Sequence, residues 1–187
     1  MRKFNLNIMI FMSLSIVMNI LGGFLALSVK LPIYLDTIGT ILSGVLLGPI
    51  NGGIVGALTA IVNGSTFDPI SFYFLPVQLV IGVSTGIFFR KHKFEGVRSV
   101  LAIIIITIIG SIISSIIASF VFEGITSSGS SIIVAIFRNL GISTITAVFS
   151  TQIFTDLLDK VISFAIVFIL IEAVPTNLKI KLVRNDI

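Results

Sequence analysis

The chain has 187 residues, 56% hydrophobic and only 11% charged, with no cysteine, one histidine and a formal net charge of +4. Soluble domains carry about 25% charged residues, so this composition and a mean hydropathy of +1.18 exclude one and point to an all-α integral membrane protein, a single domain over 1–187. The missing cysteine removes disulfides, thiolate chemistry and most soft-metal sites, and the basic excess sits in loops, which excludes a nucleic-acid-binding face.

The segment Ile8 to Val29 carries no charge. It is longer than a signal-peptide core and lacks a small-x-small cleavage site, so it reads as a retained membrane span, ended by Lys30-Leu31-Pro32. A hairpin follows over Tyr34 to Gly64. Small residues recur at Thr40, Gly44 and Gly48 and again at Gly52, Gly56, Ala60 and Gly64. That spacing lines one helix face and lets backbones approach closely where water supplies no drive for association. Gly48-Pro49 makes the turn, because proline disfavours helix in the residue before it and suits the first turn of the next helix. The arms, Ile33 to Gly48 and Asn51 to Gly64, reach about 20–24 Å at roughly 1.5 Å per residue. They fall short of the roughly 30 Å hydrocarbon core, which predicts a cavity at their outer ends.

Ser65 to Leu75 is a loop by its Asp68-Pro69 turn signal and is dense in aromatics, Phe67, Phe72, Tyr73 and Phe74. The fourth span runs from Pro76 to Phe89, followed by the basic cluster Arg90, Lys91, Lys93 and Arg98. The fifth, Ser99 to Phe122, carries two small rows, Gly110, Ser114, Ala118 and Ser111, Ser115, Ser119, which form a packing face. After the Gly/Ser/Thr loop Gly124 to Ser131, the segment Ile132 to Thr155 is helical in pattern but polar, with Arg138, Asn139 and Gln152. The last span is Asp156 to Val174, ended by Pro175 and followed by Lys179, Lys181 and Arg184.

Six spans with both termini cytoplasmic leave only Lys30, Arg138 and Lys160 of the twelve basic residues outside, as the positive-inside rule requires. A seventh span over Ile132 to Phe149 would move the basic tail outside and put Arg138 in hydrocarbon, so that segment is placed on or within the outer half. The expected architecture is a six-helix transmembrane bundle with short second and third helices.

The short spans, the phrase LLGPINGGIVGALTAIV, the aromatic loop before the fourth span and the closing DKVISFAIVFILIEAVP followed by basic residues together resemble the S component of energy-coupling factor (ECF) transporters. The resemblance covers essentially the whole chain. It implies the substrate-specific binding subunit of an ATP-driven importer for a vitamin or related small water-soluble micronutrient. It also implies partners, a coupling transmembrane subunit and two ATP-hydrolysing subunits, and a multi-pass place in the cell membrane. The family often carries Ala-x-x-x-Ala on its first helix for docking to the coupling subunit. Here that helix offers Ser15, Asn19, Gly22 and Ala26, and the hairpin rows are candidates to share the role. Metal-transporting relatives begin with a histidine near the N-terminus. Arg2 and Lys3 stand there instead, so nickel and cobalt are set aside, and no cofactor is implied.

The outward-facing polar and aromatic residues supply the candidate substrate site: Tyr34, Asp36, Asn63, Phe67, Asp68, Phe72, Tyr73, Gln78, Arg138, Asn139, Gln152 and Asp156. Asp36 leads, because an acid inside a short membrane arm needs a partner, a wet site or a ligand, although it also suits a helix start. The aromatics serve either to stack on a planar ring or to anchor at the interface. Arg138-Asn139 suits a carboxylate or phosphate, or a pairing with Glu123. Asp156 and Lys160 read first as an i,i+4 ion pair with Asp159 alongside, and Gln152 and Asn63 serve a ligand or a backbone group. The outer side carries Asp36, Asp68, Glu123, Asp156 and Asp159 against three bases, a balance that favours a neutral or cationic ligand over a polyanion. A ligand-sensing membrane module coupled to a signalling partner is the alternative function. An enzyme is not expected, since no Glu/His cluster, Ser–His pairing or metal set is present.

Overall fold

The computed structural model describes residues 6–89 and 96–175, so Arg2, Lys3, Arg90, Lys91, Lys93 and the tail residues Lys179, Lys181 and Arg184 lie outside the described residues. Among the described residues there are seven α-helices and no strand: α1 (Leu6–Ser28), α2 (Ile38–Leu47), α3 (Pro49–Thr66), α4 (Leu75–Phe89), α5 (Gly96–Phe120), α6 (Ser130–Asn139) and α7 (Thr144–Ala173). One 3₁₀ turn, Pro69–Phe72, lies inside the aromatic loop.

Most helix ends shift by a few residues from the sequence reading, and two starts, those of the second arm and the last helix, differ more. The second arm is only the 10 residues of α2, because 31–37 is an irregular strap with Leu35 in the left-handed region at φ 52°. The last helix starts at Thr144 instead of Asp156, with the Ser143 hydroxyl accepting from the Thr146 amide at 3.3 Å as its N-cap. The charges at Asp156, Asp159 and Lys160 suggested a helix end at an interface. They are instead buried mid-helix on a continuous inward face.

Among the described helices, α1 and α5 are both long enough and apolar enough to cross a membrane. Their exposed surfaces are aliphatic, including Leu14, Leu21 and Leu25 on α1 and Leu101, Ile105 and Ile112 on α5. The interior holds Ser15, Asn19, Thr40, Thr59, Gln78, Ser114, Asp156 and Lys160, all less than one-tenth exposed. Beside them is an apolar core that includes Ile41, Leu47, Ile81, Ile106 and Phe164, and an aliphatic surface with polar groups turned inward to find partners suits a lipid solvent.

The small rows are spent on contacts within this chain. Gly44 and Gly52 meet Gly82, and Gly86 meets the Gly48-Pro49 turn. A Cβ built on Gly52, Gly56, Gly82 or Gly86 would strike backbone atoms of a neighbouring helix. Close approach of α2, α3 and α4 therefore requires glycine at these positions. Gly48 sits at φ 86° between α2 and α3, and Pro49 opens α3. Both small rows of α5 are buried, and α5 packs chiefly on α7.

The α1 row is also turned inward. Ser15 lies against Gly39 of α2 and Gly22 against Leu35 of the strap, and Ala26 is buried at the cavity. Asn19, wholly buried, accepts from the Gly39 amide at 2.6 Å and donates to the Thr40 and Thr59 hydroxyls at 2.8 and 2.9 Å. The Thr40 hydroxyl donates in turn to Gln78 Oε1 at 3.2 Å, which ties α1, α2, α3 and α4 together. Asn19→Leu removes three hydrogen bonds and orphans the Gly39 amide. We expect it to cost about 2–3 kcal/mol, read as a lowered unfolding temperature in detergent, whereas Leu14→Ala on the exposed face leaves that temperature nearly unchanged.

Candidate functional site

The polar face of α7 sets the site. Buried and exposed residues alternate in pairs along it, with Thr151, Gln152, Thr155, Asp156, Asp159, Lys160 and Ser163 facing inward, the stripe expected of a 3.6-residue period. Asp159 is fully buried. Its Oδ1 accepts from the Tyr34 and Leu35 amides at 3.0 and 2.7 Å, and its Oδ2 accepts from Lys160 Nζ at 2.5 Å. Lys160 also donates to the Thr37 hydroxyl at 3.2 Å. The side chains of adjacent α7 residues thus hold both halves of the strap, including the left-handed Leu35 that few non-glycine residues adopt. The expected Asp156–Lys160 ion pair is replaced by Asp159–Lys160, and Asp156 Oδ2 instead accepts from the Ser114 hydroxyl of α5 at 3.0 Å.

The strap closes one side of a cavity bounded by α1, α3, α4, α5 and α7. Its polar lining includes Tyr34, Asp36, Thr37, Asn63, Asp68, Gln78, Ser111, Ser114, Asp156 and Lys160, and its apolar walls include Leu27, Leu31, Ile33, Phe67, Phe74, Val77 and Ile81. Gln78 Nε2 donates to the Asp36 carbonyl at 3.1 Å, and the Tyr34 hydroxyl donates to Gln152 Oε1 at 2.9 Å. Gly23 of α1 meets the Cβ of Asp36 and the amide of Asn63.

Three loops meet over the cavity. Asp68 Oδ1 accepts from the Ser127 hydroxyl at 2.5 Å, and its Oδ2 accepts from the Ser71 hydroxyl at 2.8 Å. The Leu31 carbonyl accepts from the Gly129 amide at 3.2 Å and the Ser128 hydroxyl at 3.4 Å, and Lys30 Nζ donates to the Ser127 carbonyl at 3.3 Å. The strap, the aromatic loop and the α5–α6 loop are therefore joined by side-chain bonds at the cavity's rim.

Seven of the twelve sequence-derived site residues line this cavity: Tyr34, Asp36, Asn63, Phe67, Asp68, Gln78 and Asp156. Gln152 stands behind Tyr34. Phe72 and Tyr73 are exposed, with Phe72 against Gly64 and Tyr73 edge-on to Phe122 at 5.1 Å. Arg138 and Asn139 end α6 on the exposed surface, where Arg138 donates to the backbone carbonyl of Glu123 at 3.4 Å, not to its carboxylate. Sequence reasoning missed Thr37, Ser111, Ser114 and the part played by Asp159 and Lys160. The signal was present in the i, i+4 recurrence of Gln152, Asp156 and Lys160 on one face and in the serine rows of α5, which line the cavity as well as pack.

The family model for the substrate-specific component of ECF transporters matches residues 7–171, nearly the whole chain, and the protein belongs to that family. It is a membrane protein and a transport subunit whose role is to bind a small-molecule substrate for a transporter with further transmembrane and ATPase subunits. No curated protein and no solved structure gives a significant match.

The Asp159–Lys160 pair makes the site testable for rigidity. Lys160→Met strands a buried carboxylate and is expected to cost about 3–5 kcal/mol, whereas the double substitution Asp159→Asn with Lys160→Met recovers a large part of that loss. Thermal unfolding of the two single variants and the double variant, treated as a double-mutant cycle, checks this.

Proposed function

We propose that this chain captures a vitamin or related water-soluble micronutrient from outside the cell and delivers it through an ATP-driven ECF importer. The observation that carries the reading is the cavity itself: polar groups from α3, α4, α5, α7 and the strap converge in an apolar enclosure, as small-molecule sites do, in a chain of this family. Tyr34, Asp36, Asn63, Phe67, Gln78 and Asp156 contact substrate. The roof formed by Asp68, Ser127 and Leu31 opens to admit it and closes over it. Phe72, Tyr73, Arg138 and Asn139 serve the outer surface and not the substrate.

The chain crosses the cell membrane six times, with both termini cytoplasmic. At about 1.5 Å per residue, the 10-residue α6 spans about half of the roughly 30 Å hydrocarbon core, which supports a place for it in the outer half. Keeping the basic clusters inside supports the orientation. The partners are a coupling transmembrane subunit and two ATP-hydrolysing subunits. Ser15, Asn19 and Gly22 are occupied within this chain, so the coupling subunit meets other faces.

Full-length protein in detergent, screened against water-soluble vitamins and their precursors, is expected to gain stability with at least one of them, about 2.7 kcal/mol at one hundred times its Kd. The same compound is expected to accumulate in cells only when the coupling and ATPase subunits are co-expressed. No stabilising compound and no co-purifying coupling subunit would together refute the reading. The absence of native cysteine also allows a direct topology test: single cysteines placed at Asn5 or Asn185 should react with a membrane-impermeant maleimide only after cells are opened.

A further inference from the structure

We infer that the substrate is a small organic cation bearing N–H donors on a flat apolar body, held by the carboxylates of Asp36 and Asp156 and by Asn63 Oδ1. This rests on the capture-subunit reading and names the chemistry of its ligand. Charge around the cavity is unequal. Lys160 is the lining base, and Asp36, Asp68 and Asp156 are the lining acids. Lys160 is already committed, bound to Asp159 and to the Thr37 hydroxyl. Asp159 is committed too, to that ammonium and to two backbone amides, so the pair closes on itself and leaves the cavity no net charge.

Asp68 is engaged by two serine hydroxyls at the roof. Asp36 and Asp156 remain as the charged walls, with the Ser114 hydroxyl on one oxygen of Asp156. Arg138 binds a backbone carbonyl at the outer surface, and Lys30 binds that of Ser127 at the rim. An anionic substrate would meet carboxylates with no free base to answer them, a like-charge arrangement that costs several kcal/mol.

An independent observation comes from Asn63. It is 2% exposed, lines the cavity beside Asp36, and its Oδ1 has no hydrogen-bond partner. A buried carbonyl oxygen without a donor is costly and calls for one. This unpartnered acceptor belongs to the same lining as the Asp36 and Asp156 carboxylates. Phe67 and Phe74, with Ile33 and Ile81, provide walls suited to a planar apolar body, on whose cationic form aromatic faces add attraction.

Three probes of one shape and different charge test this: benzamidine, benzamide and benzoate, each at about 10 mM against the full-length protein in detergent, followed by unfolding temperature and calorimetry. The expected result is stabilisation by benzamidine alone, with affinity at least about tenfold above benzamide. In Asp36→Asn and in Asp156→Asn that benzamidine-to-benzamide ratio should fall by about tenfold. A ratio taken within one variant is insensitive to a general loss of folding. Equal or greater stabilisation by benzoate or benzamide, stabilisation by none of the three, or a ratio unchanged in both variants overturns the inference. If the micronutrient screen still yields a ligand, the capture reading stands while the charge assignment falls.

Discussion

Everything at the cavity depends on the carboxylate of Asp159. One of its oxygens fixes two consecutive amides of the strap and the other holds Lys160, so a single side chain on α7 sets the backbone path that carries Tyr34, Asp36 and Thr37. A buried ion pair rarely gains much stability over a well-packed apolar pair. Its value here is positional. Backbone amides without a ladder partner must be satisfied in a water-poor interior, and the strap between α1 and α2 has no strand or helix of its own to do it. Asp159 supplies the acceptors, and Lys160 offsets the charge that this requires.

The rest of the bundle is arranged so that this polar interior can exist. Helices in lipid gain little from burying apolar side chains and associate through close packing and interhelical hydrogen bonds. The glycine contacts among α2, α3 and α4 bring backbones together, and Asn19 adds the hydrogen bonds that fix their register against α1. On the far side, the serine rows of α5 keep that helix close to α7 and place Ser111 and Ser114 at the cavity wall. One residue class, small and polar, therefore serves packing at some positions of a row and the site at others.

This double use explains what the sequence made legible. Four-residue spacing identified the hairpin and the packing face of α5, because periodicity reports which side of a helix is buried. The ends of α1, α4 and α5 followed from runs without charge and from flanking prolines and basic residues. The start of α7 did not, since a charge in an apolar segment reads the same whether it marks an interface or a buried pair. Deciding between them required knowing what lies 125 residues away, at Tyr34 and Leu35, and no local pattern records that. Arg138 and Asp156 were both singled out as polar residues expected on the outer side. Only the placement of α6 at the surface separates the two.

Gln78 shows how the site and the scaffold are coupled. Its Oε1 accepts from Thr40, a member of the Asn19 network, while its Nε2 holds the carbonyl of Asp36, and the same residue lines the cavity. A ligand shifts a conformation only through contacts that differ between states. Here, the strap that carries Asp36 is tied to α4 through Gln78, to α7 through Asp159 and to the α5–α6 loop through Leu31, so contacts of a ligand with Asp36 would bear on all three. The strap is thus the element that ties the cavity wall to the roof. Asp36 lines the cavity while its backbone carbonyl ties the strap to α4.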